Sequence, residues 1–214
     1  GLLEIQTAFE HAWVRSQKVT APRKMKMRFG FRRHRIPASK PVSLNFTRKL
    51  RKQSRLRFVQ TLDQMNERIW ISNAYLAPPS NITRRLRNAA RRGVDVRILV
   101  PKTSDIWFMP FISRAYYRDL IKAGIRIYEY QPRFLHAKSL VLDQEVSIGS
   151  SNMNRRSFLH DLEVDVRLDS PESVKKMSEQ FLKDLSESEE IRNHATIVGS
   201  RLGWLLNYLF RYWV

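Results

Sequence analysis

The chain contains an apolar stretch, residues 134–143, that carries one histidine and one lysine. In an extended strand, side chains two positions apart point to the same face of the sheet, so His136 and Lys138 are predicted to lie side by side. Asp143 ends the stretch with a turn-forming side chain, and a second apolar run follows shortly after it. The two halves therefore predict an antiparallel hairpin whose turn is centred near residues 144–145.

The returning half of this hairpin ends in small and polar residues beside a glycine. The predicted register places Ser151 opposite Lys138 and Asn152 close to His136. An imidazole, an ammonium, an amide and hydroxyls converging beside Gly149 would bind an anion and hold a potential nucleophile. Lys138 offers a point charge, Asn152 an amide donor, and Gly149 close approach of the backbone to a phosphate. An ordinary hairpin that carries one histidine is the alternative interpretation.

Strand-like and helix-like segments alternate through most of the chain. Short apolar runs typical of buried strands occur at residues 69–75, 94–100, 125–130 and 162–168. Apolar residues at helical spacing indicate helices at residues 47–68, 81–92, 113–123 and 170–185. This order predicts an α/β sandwich with a mixed β-sheet.

The positive charge of the chain is concentrated in one segment. The 214 residues carry a net charge of +19, and the stretch from Arg15 to Arg57 holds 16 Lys or Arg and no Asp or Glu. The remaining residues hold 23 basic and 20 acidic side chains, a balance of only +3. The basic segment suits an anionic membrane surface or nucleic acid phosphates, with a solvated linker as the alternative. The sequence has no cysteine, so disulfides and thiolate metal sites are excluded.

The hairpin matches a known signature. The pattern HxKxxxxD…GSxN resembles that of the phospholipase D superfamily, and its positions here are His136, Lys138, Asp143, Gly149, Ser150 and Asn152. Flanking segments, at residues 73–76, 89–101, 123–130 and 154–157, resemble the C-terminal half of bacterial cardiolipin synthases. One departure is local: five residues separate Asp143 from Gly149, where the family usually has six. The resemblance implies a phospholipase D-like sandwich that forms a single catalytic lobe.

The resemblance also implies roles for individual residues. His136, Lys138, Asp143 and Glu163 are the predicted catalytic set, although Asp143 is expected on the face opposite His136, with a turn-closing role. Glu163 would hydrogen-bond the imidazole and fix its orientation, unless it is an ordinary surface residue of a strand.

The predicted phosphate-binding residues are Gly149, Ser150, Ser151 and Asn152. Arg156 and Ser157 are predicted to support them from behind. No metal ion or other cofactor is expected, since no acidic cluster with ligand spacing accompanies the histidine.

The chain divides into four predicted parts. Residues 1–17 are a helix that continues from a missing upstream half, and residues 18–54 are a basic linker with the start of a helix. Residues 55–190 form the phospholipase D-like domain with one HKD motif, as the His–Lys–Asp signature is called. Residues 191–214 are an apolar, aromatic tail, which suits either a helix lying in a membrane interface or one that packs on the core. A complete one-motif protein that dimerises is the alternative to a fragment.

Phosphatidyl transfer between phospholipids, through a phosphohistidine intermediate, is the function that the resemblance implies. The predicted partners are an anionic phospholipid substrate, the membrane surface and a second HKD motif, with nucleic acid less favoured. With a lipid substrate, the protein is expected to lie on the cytoplasmic membrane in a peripheral or interfacial position. The alternatives are a dimeric phosphodiesterase or nuclease and a non-catalytic fragment that binds anionic lipid or nucleic acid.

Overall fold

The structure is a computed structural model that describes residues 42–45, 47–192 and 200–210, with helical residues 5, 6, 9, 10, 13 and 14 before them. Its strands are β1 Val42–Leu44, β2 Arg68–Asn73, β3 Asp95–Pro101, β4 Arg126–Tyr130, β5 Lys138–Leu142, β6 Glu145–Gly149, β7 Val164–Leu168 and β8 Ser188–Glu190. Its helices are α1 Arg48–Gln64, α2 Ser80–Arg91, α3 Met109–Ile121, α4 Arg155–Leu159, α5 Pro171–Ser186 and α6 Ser200–Leu209.

The eight strands form one sheet in the order β1-β7-β6-β5-β2-β3-β4-β8. The β2–β3 and β3–β4 pairs are parallel, because each is joined by a helical crossover. The other five pairs are antiparallel. The sheet is therefore mixed, as the alternation of segments predicts.

Helices cover both faces of the sheet. On one face, α1, α2 and α3 bury a cluster that includes Leu62, Leu86 and Leu120, each fully excluded from solvent. On the other face, α5 packs through Phe181, whose ring stacks on Trp70 with centroids 5.2 Å apart. The predicted α/β sandwich is confirmed.

Helix ends follow local signals, but several boundaries differ from the prediction. Ser170 caps α5, and Thr47 accepts a hydrogen bond from the Leu50 amide at the start of α1. Helix α1 ends at Gln64, four residues before the predicted end, and α3 begins at Met109 rather than at residue 113. Strands β1 and β8 were not predicted, because three residues are too few to show a periodic pattern.

The structure describes only part of the N-terminal region for which predictions were made. Residues 5, 6, 9, 10, 13 and 14 are helical, and the Phe9 and Trp13 rings stack with centroids 5.9 Å apart. Most of the predicted basic linker, residues 18–41, lies outside the described residues. Strand β1 falls within the remainder of that predicted linker, where it pairs with β7.

The aromatic tail forms α6, which packs on α3. Leu206 is buried, the Asn207 side chain donates to the Tyr116 hydroxyl at 3.1 Å, and the Phe108 and Phe210 rings stack at 4.4 Å. The outer face of α6 is apolar and exposed: Leu202, Trp204, Leu205, Tyr208 and Leu209 each keep between 46% and 65% of their surface in solvent. The helix therefore has one face on the core and one apolar face outside. Among the described helices, none has both the length and the apolar character needed to cross a bilayer.

Candidate functional site

The hairpin turn lies one residue earlier than predicted. Leu142 pairs with Glu145, so the two-residue turn consists of Asp143 and Gln144. Asp143 has a φ of +39°, which suits this type of turn and which aspartate tolerates better than most residues. The predicted juxtaposition of Ser151 with Lys138 is therefore wrong: the observed register runs through Ser139 and Ile148, and β6 ends at Gly149.

Asp143 lies at the far end of β5 from His136 and binds backbone. Its carboxylate accepts hydrogen bonds from the amides of Asn66, Glu67 and Arg68, at 2.9 to 3.1 Å. Its carbonyl accepts two more from the Arg68 guanidinium. These bonds tie the hairpin turn to the start of β2. The structure does not bring Asp143 to the other predicted site residues.

His136 and Lys138 lie at the opposite end, where β5 begins. The strand starts at Lys138, so His136 lies in the irregular segment before it rather than on the predicted strand. The Lys138 ammonium donates to the His136 carbonyl at 3.0 Å. The imidazole is exposed and contacts the rings of Tyr75 and Phe134, with centroids 5.6 and 5.4 Å away. Both catalytic candidates of this segment therefore lie together.

A tyrosine and an aspartate, neither predicted as a site residue, complete this group. The Tyr75 hydroxyl donates to the Asp105 carboxylate at 2.7 Å, and the Lys138 ammonium lies 5.5 Å from the centre of the Tyr75 ring. Burial and the bond to Asp105 raise the pKa of Tyr75. Burial lowers the pKa of Lys138, against the opposing attraction of Glu163 and Asp105. The ammonium is thus partly desolvated, which strengthens its pull on an anion.

The segment after β6 is held tightly against β7. A Cβ atom at Gly149 would overlap the Asp165 carboxylate and the Val164 carbonyl, so only glycine fits there. The Ser151 hydroxyl donates to Asp165 at 2.5 Å. The Asn152 amide N–H donates to a serine hydroxyl at 3.1 Å, while its buried side-chain oxygen has no partner among the described residues. Asn152 is thus held through its backbone, and its side chain forms no hydrogen bond to a described residue.

Glu163 is 9% exposed and accepts hydrogen bonds from the hydroxyls of Ser150 and Ser157. Burial raises its pKa, although both hydroxyls oppose the shift. The backbone N–H of Glu163 donates a hydrogen bond to the Oδ1 atom of Asn45, directly after β1, at 2.6 Å. The predicted hydrogen bond from His136 to Glu163 is not found among the described residues, where the imidazole makes only ring contacts.

The two residues predicted to support the site differ in position. Ser157 is 2% exposed, and its hydroxyl joins the Asn152 amide to Glu163. Its own amide donates to the Asn154 side chain, which caps α4. Arg156 points away and pairs with Asp161 at 2.8 Å on the surface, so the structure does not bring it to the cluster.

A pocket of about 130 Å³ lies between the polar side of α1 and the sheet. Of the predicted residues, it is lined by Lys138, Gly149, Ser151, Asn152 and Ser157. Its other charged lining residues are Arg51, Arg57, Glu145, Asp165 and Arg167. Four basic side chains thus face two acidic ones, which favours an anion. Within the described ranges, no group of three or more His, Asp or Glu side chains is arranged to hold a metal ion.

Asn73 organises the same region and was not predicted as a site residue. It ends β2, is 3% exposed, and accepts from the Met153 amide at 2.9 Å and the Tyr75 amide at 3.3 Å. It thereby joins the Tyr75 group to the segment that carries Asn152. The available signal in the sequence was a polar residue at the end of an otherwise apolar strand.

Solved structures share this fold at low identity. The chain matches a phospholipase D family member, Nuc from Salmonella typhimurium, with a TM-score of 0.60 and 19% identity over 71% of this chain and 97% of that one. It matches a phosphatidylserine synthase from Haemophilus influenzae with a TM-score of 0.60 and 13% identity, over 74% of this chain and 42% of that one. These likenesses establish the fold alone.

Curated relatives are closer in sequence. The chain is 44% identical over 124 residues to a cardiolipin synthase from Geobacillus sp. (strain WCH70) and 41% identical over 124 residues to cardiolipin synthase 2 from Bacillus cereus. Each match covers 58% of this chain, and the chain spans about a quarter of the length of these relatives. The family model described as "Cardiolipin synthase, PLD-like domain" matches residues 58–185, more than half of the chain. The predicted resemblance is therefore confirmed, and the chain belongs to this phospholipase D-like cardiolipin synthase family.

Proposed function

We propose that this chain supplies one HKD half-site of an enzyme that transfers phosphatidyl groups between phospholipids. The observation that supports the proposal is that Lys138, Ser151 and Asn152 line one basic pocket, while His136 lies exposed beside Lys138. The ammonium and the free amide of Asn152 are donors for the oxygens of a phosphodiester. The imidazole supplies the proton chemistry, since an imidazole nitrogen can both donate and accept a proton.

The reaction has two balanced steps. First, an imidazole nitrogen from a second motif attacks phosphorus, a P–N bond forms, and the P–O bond to the donor's headgroup alcohol breaks. The leaving alkoxide takes a proton from His136. Second, the neutral His136 takes a proton from an incoming alcohol, whose oxygen bonds phosphorus as the P–N bond breaks. An acceptor hydroxyl of a lipid gives phosphatidyl transfer, whereas water gives hydrolysis.

The proposal gives the remaining predicted residues different tasks. Lys138 and Asn152 bind the phosphoryl oxygens throughout, and Ser151 lies beside them. Glu163, through Ser150 and Ser157, holds the segment after Gly149 in place. Asp143 fixes the hairpin turn at the other end of β5.

A second motif is required because the sequence holds only one histidine in the HxKxxxxD…GSxN context. The second imidazole comes from another part of the protein or from a second copy. The exposure of His136 supports this arrangement, since an imidazole open to solvent has room to meet a partner across a substrate. The chain by itself should turn over no phospholipid.

Peripheral association with the cytoplasmic membrane belongs to the same proposal. The exposed apolar face of α6, with Trp204 and Tyr208, is the composition that favours the interface between headgroups and acyl chains. The basic segment between Arg15 and Arg57 would add attraction to anionic lipid. A dimeric nuclease is the second candidate, because the net charge of +19 also suits nucleic acid.

Replacing His136 by alanine in the intact protein tests the catalytic proposal. We expect transfer of a labelled phosphatidyl group to fall by at least about 100-fold, as for loss of a general acid and base. His160→Ala removes another exposed imidazole and should leave transfer unchanged. Transfer at the original rate in His136→Ala would remove this residue from the mechanism. Cleavage of duplex DNA that depends on His136, without phosphatidyl transfer, would favour the nuclease.

A further inference from the structure

A second cleft, of about 600 Å³, is lined by residues of five helices. The start of α2 forms one wall and the ends of α4 another. Tyr116 of α3 and the two α6 residues Trp204 and Asn207 close it on the third side. Of the residues that line the smaller pocket beside Lys138, only Phe158 also lines this cleft. We call it the arginine cleft.

Four arginines line the arginine cleft: Arg55, Arg84, Arg87 and Arg155. A single carboxylate, that of Asp119, faces them. In the described part of the chain, none of the four guanidinium groups forms a hydrogen bond or an ion pair, and the Nε atom of Arg87 is buried without a partner. Four guanidinium groups that line one cleft with a single carboxylate leave an excess of positive charge that favours an anion, and their planar donors match phosphate oxygens.

The same cleft has an apolar side. Phe158 and Leu159 of α4, Tyr116 of α3 and Trp204 of α6 line it together with the arginines. Trp204 also belongs to the exposed apolar face of α6, so this wall continues directly onto that face. An anion that carries a long apolar group fits such a surface better than inorganic phosphate or a nucleic acid backbone does.

We propose that the arginine cleft binds the phosphate of an anionic phospholipid, with its acyl chains against the exposed face of α6. His136 and Lys138 do not line the cleft, so the bound lipid is a different molecule from the one that reacts. This site would hold the chain on an anionic membrane in one orientation, with the docked α6 at the headgroup level. The inference rests on the proposed membrane association, for which it names the lipid-binding site, and it is independent of the proposed reaction.

Glutamine substitutions in the intact protein test the proposal. Arg84→Gln combined with Arg87→Gln removes two charges from the cleft, and Arg91→Gln combined with Lys122→Gln removes two exposed charges outside it. Binding is measured by co-sedimentation with phosphatidylcholine vesicles that contain phosphatidylglycerol. We expect the cleft variant to lose at least about tenfold in affinity, equivalent to about 1.4 kcal/mol. The control should lose no more than about threefold, as a diffuse surface charge effect.

A second pair of substitutions guards against a folding defect. Arg55→Gln with Arg155→Gln changes the other walls of the same cleft, and it should reproduce the loss at an unaltered melting temperature. Equal losses in the cleft variants and the control would assign binding to overall charge and overturn the proposal. Binding at full affinity in both cleft variants would also overturn it.

Soluble competitors separate the possible sources of the phosphate. Inorganic phosphate at a concentration equal to that of the vesicle phosphatidylglycerol should fail to displace the protein from the vesicles, because it offers no acyl chains to α6. Full displacement through the same arginines would identify a free-anion site, and binding of duplex DNA in place of vesicles would identify nucleic acid; either outcome overturns the proposal. Phosphatidyl transfer from detergent-dispersed lipid should be unchanged in Arg84→Gln with Arg87→Gln, which separates this site from the reaction.

Discussion

Replacing Asp143 should destabilise the protein while leaving the chemistry of the folded enzyme intact. Asp143→Ala removes the carboxylate that accepts hydrogen bonds from the amides of Asn66, Glu67 and Arg68. The first two amides are exposed and regain water, whereas the Arg68 amide is partly buried and is left without an acceptor. The substitution also places alanine at a φ of +39°.

These contributions give different losses in the free energy of unfolding for alanine and for asparagine. Loss of an acceptor for the partly buried Arg68 amide costs about 1–3 kcal/mol, and each exposed bond about 0.5 kcal/mol. The positive φ adds about 1 kcal/mol for alanine but little for asparagine, which tolerates this conformation. Asp143→Ala should therefore lower the free energy of unfolding by about 3–5 kcal/mol. Asp143→Asn, which keeps one acceptor oxygen, should lower it by about 1 kcal/mol.

Thermal unfolding of the variants measures this series. A chain of this size loses about 2–4 °C in Tm for each kcal/mol, so Asp143→Ala should melt about 6–20 °C lower. Asp143→Asn should melt about 2–4 °C lower. Asp169→Asn removes an exposed carboxylate with no side-chain hydrogen bond in the described structure, and its Tm should not change.

The activity of Asp143→Asn decides between a structural and a chemical role. At a temperature where the variant is folded, phosphatidyl transfer by the intact protein should match the original rate. If Asp143→Asn instead melted at the original temperature and transferred no phosphatidyl group, Asp143 would belong to the chemistry, and the interpretation of its three amide bonds would be refuted.

Three further outcomes follow from close contacts and burial. Gly149→Ala should cost about 3 kcal/mol or more through overlap with β7. Gly93→Ala, which has space but a positive φ, should cost only about 1 kcal/mol, and equal losses in urea unfolding would contradict this. Burial holds the pKa of Glu163 above its ordinary value, so its protonated form favours folding, and stability falls as pH rises through the folded pKa. Glu163→Gln should flatten the Tm profile above the ordinary pKa of glutamate, and an unchanged slope would argue against this. Gly203→Leu should release α6 from the Phe111 carbonyl and expose the tail to limited proteolysis, whereas an unchanged digestion pattern would show that the helix tolerates the side chain.

Much of the candidate site is visible in the sequence because it is local. The hairpin, its histidine and lysine, and the glycine and asparagine of the returning half lie within 17 residues of one another, at residues 136–152. Hydrophobic periodicity is also local, so the alternation of strands and helices, and with it the mixed sandwich, could be predicted. The start of α5 is local in the same way, because a capping serine, a proline and an acidic residue follow one another at Ser170, Pro171 and Glu172.

The parts that could not be predicted depend on contacts between distant segments. Asn45 binds the backbone of Glu163 across 118 positions, and Met153 donates to Asn73 across 80. No pattern within either segment indicates the other, because such a bond depends on which segments the folded sheet brings together. The register of the hairpin belongs here too, since the carboxylate of Asp143 is held by residues 66–68.

By itself the sequence determines the motif, the fold class and the family, because each depends on residue types at short and fixed spacing. Only the tertiary structure decides which of those residues meet. It sets Lys138 beside Tyr75, directs Glu163 to two serines, sends Arg156 to the surface and assembles the arginine cleft from five helices. The physical reason is that side-chain neighbours are fixed by strand order and helix packing, which arise from the burial of the whole core rather than from any one segment.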